Sequence, residues 1–358
     1  MSQNLQRMQA AATARGLRLR PHAKTHKSVA LAQRQIAEGA VGICCAKLGE
    51  AEIMAAGGVE DIRLPYPLNP VNADRVIELL ERTRISFIVD NLEVAAGWST
   101  AMAAAGRHVD VLVKVDVGFH RCGIDPDAAN AVDFIVRVAE MPGLRFRGLL
   151  SHAGHGYGAT SEGEIEAIAR LEAATMTALA DSVRGSGVEV AEISVGATPT
   201  SRYSLQQPGL TELRPGNYIY YDRPQVALDA AGWDDCALTV LARVVAKPAD
   251  DRIILDSGSK TLTNDMARGF VPMPGHGTIL SAIDGVQTAD EDLLIERLSE
   301  EHATVRVRSG DHPLRPGDLV RVIPNHSCVV SNLVDALWMV DGMEVGEPLQ
   351  VSARGRIT

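Results

Sequence analysis

Residues 17–47, LRLRPHAKTHKSVALAQRQIAEGAVGICCAK, set the reading of the fold. Two short β-rich runs, 17–24 and 42–47, flank a stretch of helical pattern, and the same unit then repeats. Further strand candidates fall at 61–66 (DIRLPY), 86–90 (SFIVD), 110–117 (DVLVKVDV), 146–152 (FRGLLSH), 192–197 (EISVGA) and 212–221 (ELRPGNYIYY). Eight βα units in this length predict an α/β chain closed as a TIM-like (β/α)8 barrel. An open doubly wound sheet is the alternative. Between the strands, Asn69-Pro70 reads as an N-cap and first helical residue. Ser161 and Glu164 read as a capping box, ahead of a face made by Ile165, Ile168, Ala169, Met176 and Leu179.

The texture changes after residue 225. ALTVLARVVA, RIILDSG, HATVRVRSG, DLVRVIP and ALWMVDG are short, β-branched and punctuated by Gly, Pro and Asp. We therefore expect a barrel over 1–225 and a C-terminal antiparallel β domain over 226–358.

Composition narrows the function. The 358 residues carry a net charge of −10 with no long basic run, which argues against a nucleic-acid or anionic-membrane partner. No stretch is apolar for long enough to span a bilayer. The first 16 residues read as an amphipathic helix, not a signal peptide. Five cysteines without framework spacing suggest reduced thiols in the cytoplasm.

The chain has six lysines, and Lys24 ends the first barrel strand in RPHAKTHKS (20–28), where barrels place their chemistry. Desolvation there lowers a lysine's pKa and makes its amine a nucleophile. Lys47 and Lys114 also lie on strands, so position alone does not single out Lys24. The turns after strands seven and eight, with Gly196, Ala197 and Thr198 and then Gly216 and Asn217, could offer backbone N–H groups to a phosphate. His326 and Cys328, read as i and i+2 on a strand in VIPNHSCVV, would face one side and suit a borderline-soft ion such as zinc. His120 and Arg121 follow strand five, and His152, His155 and Tyr157 follow strand six, at the same rim. DSGSK (256–260) and Glu300-Glu301-His302 read chiefly as turn and interface residues.

With those residues in view, the chain resembles the D-threonine aldolase and D-serine dehydratase family, fold-type III pyridoxal-phosphate (PLP) enzymes related to alanine racemase. RPHAKTHKS, GICCAKLGEAE (42–52), DVLVKVDVGFHRCGI (110–124), SVGATPT (194–200), DSGSKTLTND (256–265), RLSEEH (297–302), PNHSCVVSNL (324–333) and ARGR (353–356) carry the likeness, in the expected order over nearly the whole chain. The resemblance implies that Lys24 forms the Schiff base with PLP. In RPGNYIY (214–220), it assigns Gly216 and Asn217 to the phosphate and Arg214 to the pyridine nitrogen. Arg121, His152, Tyr157, Gly196, Thr198 and Tyr218 are assigned as further cofactor contacts, and His152 is also the candidate base. His326 and Cys328 match the family's paired divalent-metal ligands. D-threonine aldolases carry His-x-Asp there, favouring manganese, whereas His-x-Cys is similar to the zinc-dependent dehydratases. Family members carry a strand of roughly TPxLxxDL type before the first helix; the sequence here starts at that helix, with all eight barrel strands downstream.

The resemblance implies a small β-hydroxy-D-amino acid as substrate and a homodimer, with the β domain of one chain closing the barrel mouth of the other. The expected reaction is cleavage to glycine and an aldehyde. The alternative is dehydration of D-serine or 3-hydroxy-D-aspartate to a keto acid and ammonia. A racemase is disfavoured because it needs no metal at the β-hydroxyl. A non-catalytic PLP-binding protein is a lower alternative, since such single barrels lack the second domain and the His-x-Cys pair. A metal-only hydrolase is the remaining one.

Overall fold

The computed structural model describes residues 1–283, 286–342 and 344–358. Its first sheet is parallel and contains all eight expected strands: β1 (Arg18–Leu19), β2 (Ile43–Cys44), β3 (Asp61–Pro67), β4 (Arg84–Val89), β5 (Val109–Lys114), β6 (Leu144–Leu150), β7 (Glu192–Val195) and β8 (Glu212–Leu213). β1 pairs with β8, and the ring closes between β1 and β2. There Val41 N–H donates to Leu19 O (2.9 Å), Cys44 N–H donates to Pro21 O (2.7 Å), and His22 bridges Cys44 in parallel. The sheet is thus the predicted barrel and not an open doubly wound one.

Alternation along the strands explains both faces. Phe87, Val89, Val111 and Val113 face the helices, while Ile88, Leu112 and Leu150 form a separate apolar cluster. Charge fills the end at the strand N-termini. Glu212 accepts from Arg20 Nε (2.9 Å), from Arg63 and from the Ser194 hydroxyl (2.7 Å), and Arg63 also pairs with Glu192 (2.8 Å). Burial alone would raise the Glu212 carboxyl, but the charges of Arg63 and Arg20 outweigh it and hold it at about 2.

The barrel's helices follow their caps. Asn69 Oδ1 accepts from Val71 N–H (3.0 Å) to open a short 3-10 turn, Pro70–Asn72, before the helix Ala73–Leu80. Ser161 caps Glu162–Gly185 by accepting from Glu164 N–H (3.2 Å). The expected box is only half made, because the Glu164 carboxylate turns to Thr160 N–H (2.7 Å) instead. Ile165, Ala169, Met176 and Leu179 are buried as their spacing requires, and Ile168 is partly buried.

The second unit is antiparallel: β9 (Val240–Ala249), β10 (Arg252–Leu255), β11 (Gly277–Ile283), β12 (Val286–Ala289), β13 (Leu293–Leu298), β14 (Ala303–Val307) and β15 (Leu319–Pro324), in the order β12-β11-β15-β9-β10-β14-β13. A hairpin of β16 (Ala336–Asp341) and β17 (Glu344–Gln350) follows.

Several expected strands end early, and at three of them the difference moves site residues off the strand. β1 stops at Leu19, and Lys24 sits on a separate 3-10 turn, Ala23–Thr25, beyond it. β8 stops at Leu213, and the chain turns at Gly216 into a second 3-10 turn, Asn217–Ile219. Pro21 and Pro215 have no N–H for a ladder at these points. The VIPNHSCVV strand is likewise corrected. β15 ends at Pro324, His326 caps a short helix, Ser327–Ser331, and Cys328 is helical. The two side chains are therefore not related by strand alternation.

Candidate active site

A cavity of about 800 Å³ opens where the barrel strands end, and its far wall belongs to the second domain of the same chain. Its size suits a cofactor together with a small substrate. The helix carrying Cys328 seats directly on the first barrel turn. Cys328 Sγ lies 3.3 Å from Thr25 Oγ1, and the Ser331 hydroxyl donates to Thr25 O.

Lys24 projects into the cavity, with its backbone N–H held by His22 Nδ1 (3.3 Å). Its side chain is exposed where it lines this opening. Desolvation lowers its pKa, helped by Arg121 and Arg214 and opposed by Cys328 and Glu50. Lys114, from the end of β5, also lines the cavity and is pushed down to about 7, chiefly by burial. Lys47 does not enter; its ammonium lies 5.5 Å from the Tyr66 ring centroid.

The turns after β7 and β8 form an anion cradle. A Cβ on Gly196 would meet Arg214 N at 2.8 Å, and one on Gly216 would meet Thr25 Oγ1 at 3.0 Å, so both positions depend on glycine's close approach. Among the described residues, the backbone N–H groups of Ala197, Thr198 and Gly216 meet no acceptor. The buried Thr198 hydroxyl also lacks a partner. Orphaned donors converging on a cavity are what a phosphate would satisfy. Arg214 forms the floor: its Nε donates to Ser194 Oγ (2.7 Å), and its Nη2 donates to Ser151 O.

His152 is set by one bond. Its Nδ1 donates to Gly196 O (2.6 Å), which leaves Nε2 as the bare nitrogen. Burial and the nearby Lys24 hold its pKa well below the usual histidine value, so the ring is neutral. Phe119 packs edge-on against it, with ring centroids 5.6 Å apart, and Arg121 lies over the same Phe119 ring at 5.0 Å. Tyr157 joins them in the lining.

His326 and Cys328 face the cavity from the second domain. Asp265 Oδ2 accepts from His326 Nδ1 (2.6 Å), fixing the tautomer that presents Nε2. Burial opposes the imidazolium, but Cys328 and Asp265 outweigh it and raise His326 to about 9, while Cys328 is lowered beside it. A divalent cation would displace the imidazolium proton and bind imidazole and thiolate together, so the donor set fits a thiophilic ion with open positions.

Of the residues assigned from the sequence, Lys24, Arg121, His152, Tyr157, Gly196, Thr198, Arg214, Gly216, Asn217, His326 and Cys328 all line this one cavity. Tyr218 does not. Its hydroxyl accepts from Gln35 Nε2 (3.1 Å) in the core behind the first turn, which corrects its assignment as a cofactor contact. His120 and His155 stand outside the cavity, and the exposed His120 is tied to Asp116 (3.0 Å). The unassigned lining residues include His22, Lys114, Asp222, Asp265, Met266 and Arg268.

The sequence profile of the alanine racemase N-terminal domain matches residues 1–224, and that of the serine dehydratase domain matches 237–340. The chain belongs to this alanine racemase-like family of PLP-fold enzymes. It is 34% identical to the D-threonine aldolase of an Arthrobacter species, covering 98% of this chain and 89% of that one. It is 30% identical to the D-threo-3-hydroxyaspartate dehydratase of Delftia sp. strain HT23, covering 92% and 88%. Solved structures of the latter enzyme superpose closely. A cysteine-to-alanine mutant in the metal-free form gives a TM-score of 0.89 at 28% identity, covering 98% of this chain and 94% of that one. A histidine-to-alanine mutant, altered two positions earlier, gives 0.91 at 27%, covering 98% and 92%.

Proposed function

We propose that the chain is a PLP-dependent, divalent-metal-assisted lyase that cleaves β-hydroxy-D-amino acids to glycine and an aldehyde. One observation carries this reading: a lysine, an orphaned anion cradle, a neutral histidine base and a His–Cys pair meet in a single cavity. Lys24 would hold PLP covalently, the turns at 196–198 and 216–217 would take its phosphate, and Arg214 would face its ring nitrogen. Bound there, PLP supplies the conjugated system that accepts an electron pair left at Cα. A zinc or manganese ion on His326 and Cys328 would supply Lewis acidity toward the substrate's β-hydroxyl.

The chain's own groups do the rest. His152 Nε2, bare because Nδ1–H is committed to Gly196 O, takes the β-hydroxyl proton. The Cα–Cβ bond then breaks, its electron pair stays at Cα, and the aldehyde departs. Cα regains a proton to give glycine. Phe119 packs edge-on against His152.

A second reading has a specific observation behind it. The histidine and cysteine altered in the solved dehydratase mutants lie two positions apart, as His326 and Cys328 do. In that reading Lys24 would take the Cα proton and hydroxide would leave from Cβ, the Lewis acidity of a cation on His326 and Cys328 favouring its departure. Incubation with D-threonine and D-serine, with zinc or manganese, separates the two. Glycine and acetaldehyde from D-threonine support the lyase proposed here. Pyruvate and ammonia from D-serine, with no glycine from D-threonine, would replace it with the dehydratase.

The resemblance supports a homodimer. A cytoplasmic setting is supported by the free state of all five cysteines. No described helix is long and apolar enough to cross a membrane.

A further inference from the structure

Ser194 joins the floor of the cavity to the charge cluster beneath it. It lies on β7 directly beside Glu212 of β8, and both side chains are fully buried. The Ser194 hydroxyl donates to Glu212 Oε1 (2.7 Å) and accepts from Arg214 Nε (2.7 Å). Glu212 and Arg214 are two positions apart at the end of β8, so both point to the barrel interior.

The direction of these two bonds is forced. A guanidinium offers only donors, and an ionised carboxylate only acceptors. Arg63 and Arg20 keep Glu212 ionised at neutral pH. The one hydroxyl proton of Ser194 therefore goes to Glu212, and its lone pair is left for Arg214. Arg214 is 5% exposed, and its Nη2 reaches only the carbonyls of Ser151 and Ser194. Among the described residues, Ser194 is thus the hydrogen-bonded link between this buried cation and a carboxylate. It also fixes Nε, the atom about which the planar group would otherwise turn. Nη1 makes no hydrogen bond among the described residues, and Arg214 lines the cavity.

We propose that Ser194 is a positioning residue: bridged to Glu212, it locks the Arg214 guanidinium so that the unbonded Nη1 is presented to the ring nitrogen of the cofactor. This rests on the PLP reading above, in which Arg214 faces that nitrogen.

The test is equilibrium dialysis of the full chain, freed of cofactor, against PLP and against its 1-deaza analogue, in which C–H replaces the ring nitrogen. The wild type should bind PLP more tightly than the analogue. Ser194→Ala should raise the PLP dissociation constant at least about tenfold, the scale of a hydrogen bond from a charged group, and leave that of the analogue within about twofold. A merely structural loss would weaken both ligands alike. If the Ala variant does not fold, Ser194→Cys fills the same space with a far weaker hydrogen-bonding group and should give the same split. Equal weakening of both ligands, or no weakening of either, would overturn the role of Ser194 alone. A wild type that binds the two equally would overturn the placement of Arg214 at the ring nitrogen, and this inference with it. A wild type that binds neither would overturn the PLP reading as a whole.

Discussion

Replacing Glu212 with Gln should weaken the barrel measurably, because this carboxylate is the hub of the buried charge cluster. It is fully enclosed and bonded by Arg20, Arg63 and Ser194. A carboxyl held at about 2, against a reference value of 4.5, is stabilised by about 3 kcal/mol once ionised, at about 1.4 kcal/mol per pH unit. Gln keeps the shape but sets an amide N–H₂ against one of the guanidiniums. The loss at neutral pH should therefore approach about 3 kcal/mol, the lower edge of what breaking a buried pair costs. Asp61 and Glu192 keep it from being larger, since they still pair with Arg20 and Arg63. Because the folded pKa is depressed, the wild-type advantage is complete above about 4.5 and drains as pH falls toward about 2. Urea unfolding followed by circular dichroism, run on both proteins near neutral pH and near pH ~2.5, reads both effects. A neutral-pH gap under ~0.5 kcal/mol, the scale of ordinary surface substitutions, or a gap that does not narrow on acidification, would refute the reasoning.

Other outcomes follow from the same geometry. His152→Phe removes the bare Nε2 while preserving a ring against Phe119, and should lower kcat by about 10²–10⁴-fold with PLP still bound; an unchanged kcat would remove His152 as the base. Gly154→Ala places a methyl 2.9 Å from His152 Nε2 and 2.8 Å from Phe119 Cε1, so kcat/KM should fall on the order of 10²-fold with little change in stability. Activity within about twofold of wild type would mean that the base tolerates displacement.

Much of the site was legible because its residues lie on short contiguous motifs at strand ends. RPHAKTHKS carries Lys24, and SVGATPT and RPGN carry the two glycine turns. What escaped was tertiary. Asp265 meets His326 across 61 positions, and Asp222 meets Ser327 across 105, with no spacing rule to announce either bond. The strand reading of NHSCVV failed for the same reason. Val329 and Val330 favour a strand locally, but Asp222 accepts from Ser327 N–H and caps a helical turn from a distance. Tyr218 was misplaced because the eighth strand was read through Gly216. The turn there sends the ring into the core toward Gln35.

The site also holds a second amine, the buried Lys114, so the choice of lysine is the decisive point. Loading the protein with PLP, reducing the imine with borohydride and mapping the modified peptide by mass spectrometry examines it directly. The phosphopyridoxyl group should sit on Lys24, and Lys24→Ala should abolish the adduct. A label on Lys114 instead, or no label on either lysine, would contradict the assignment.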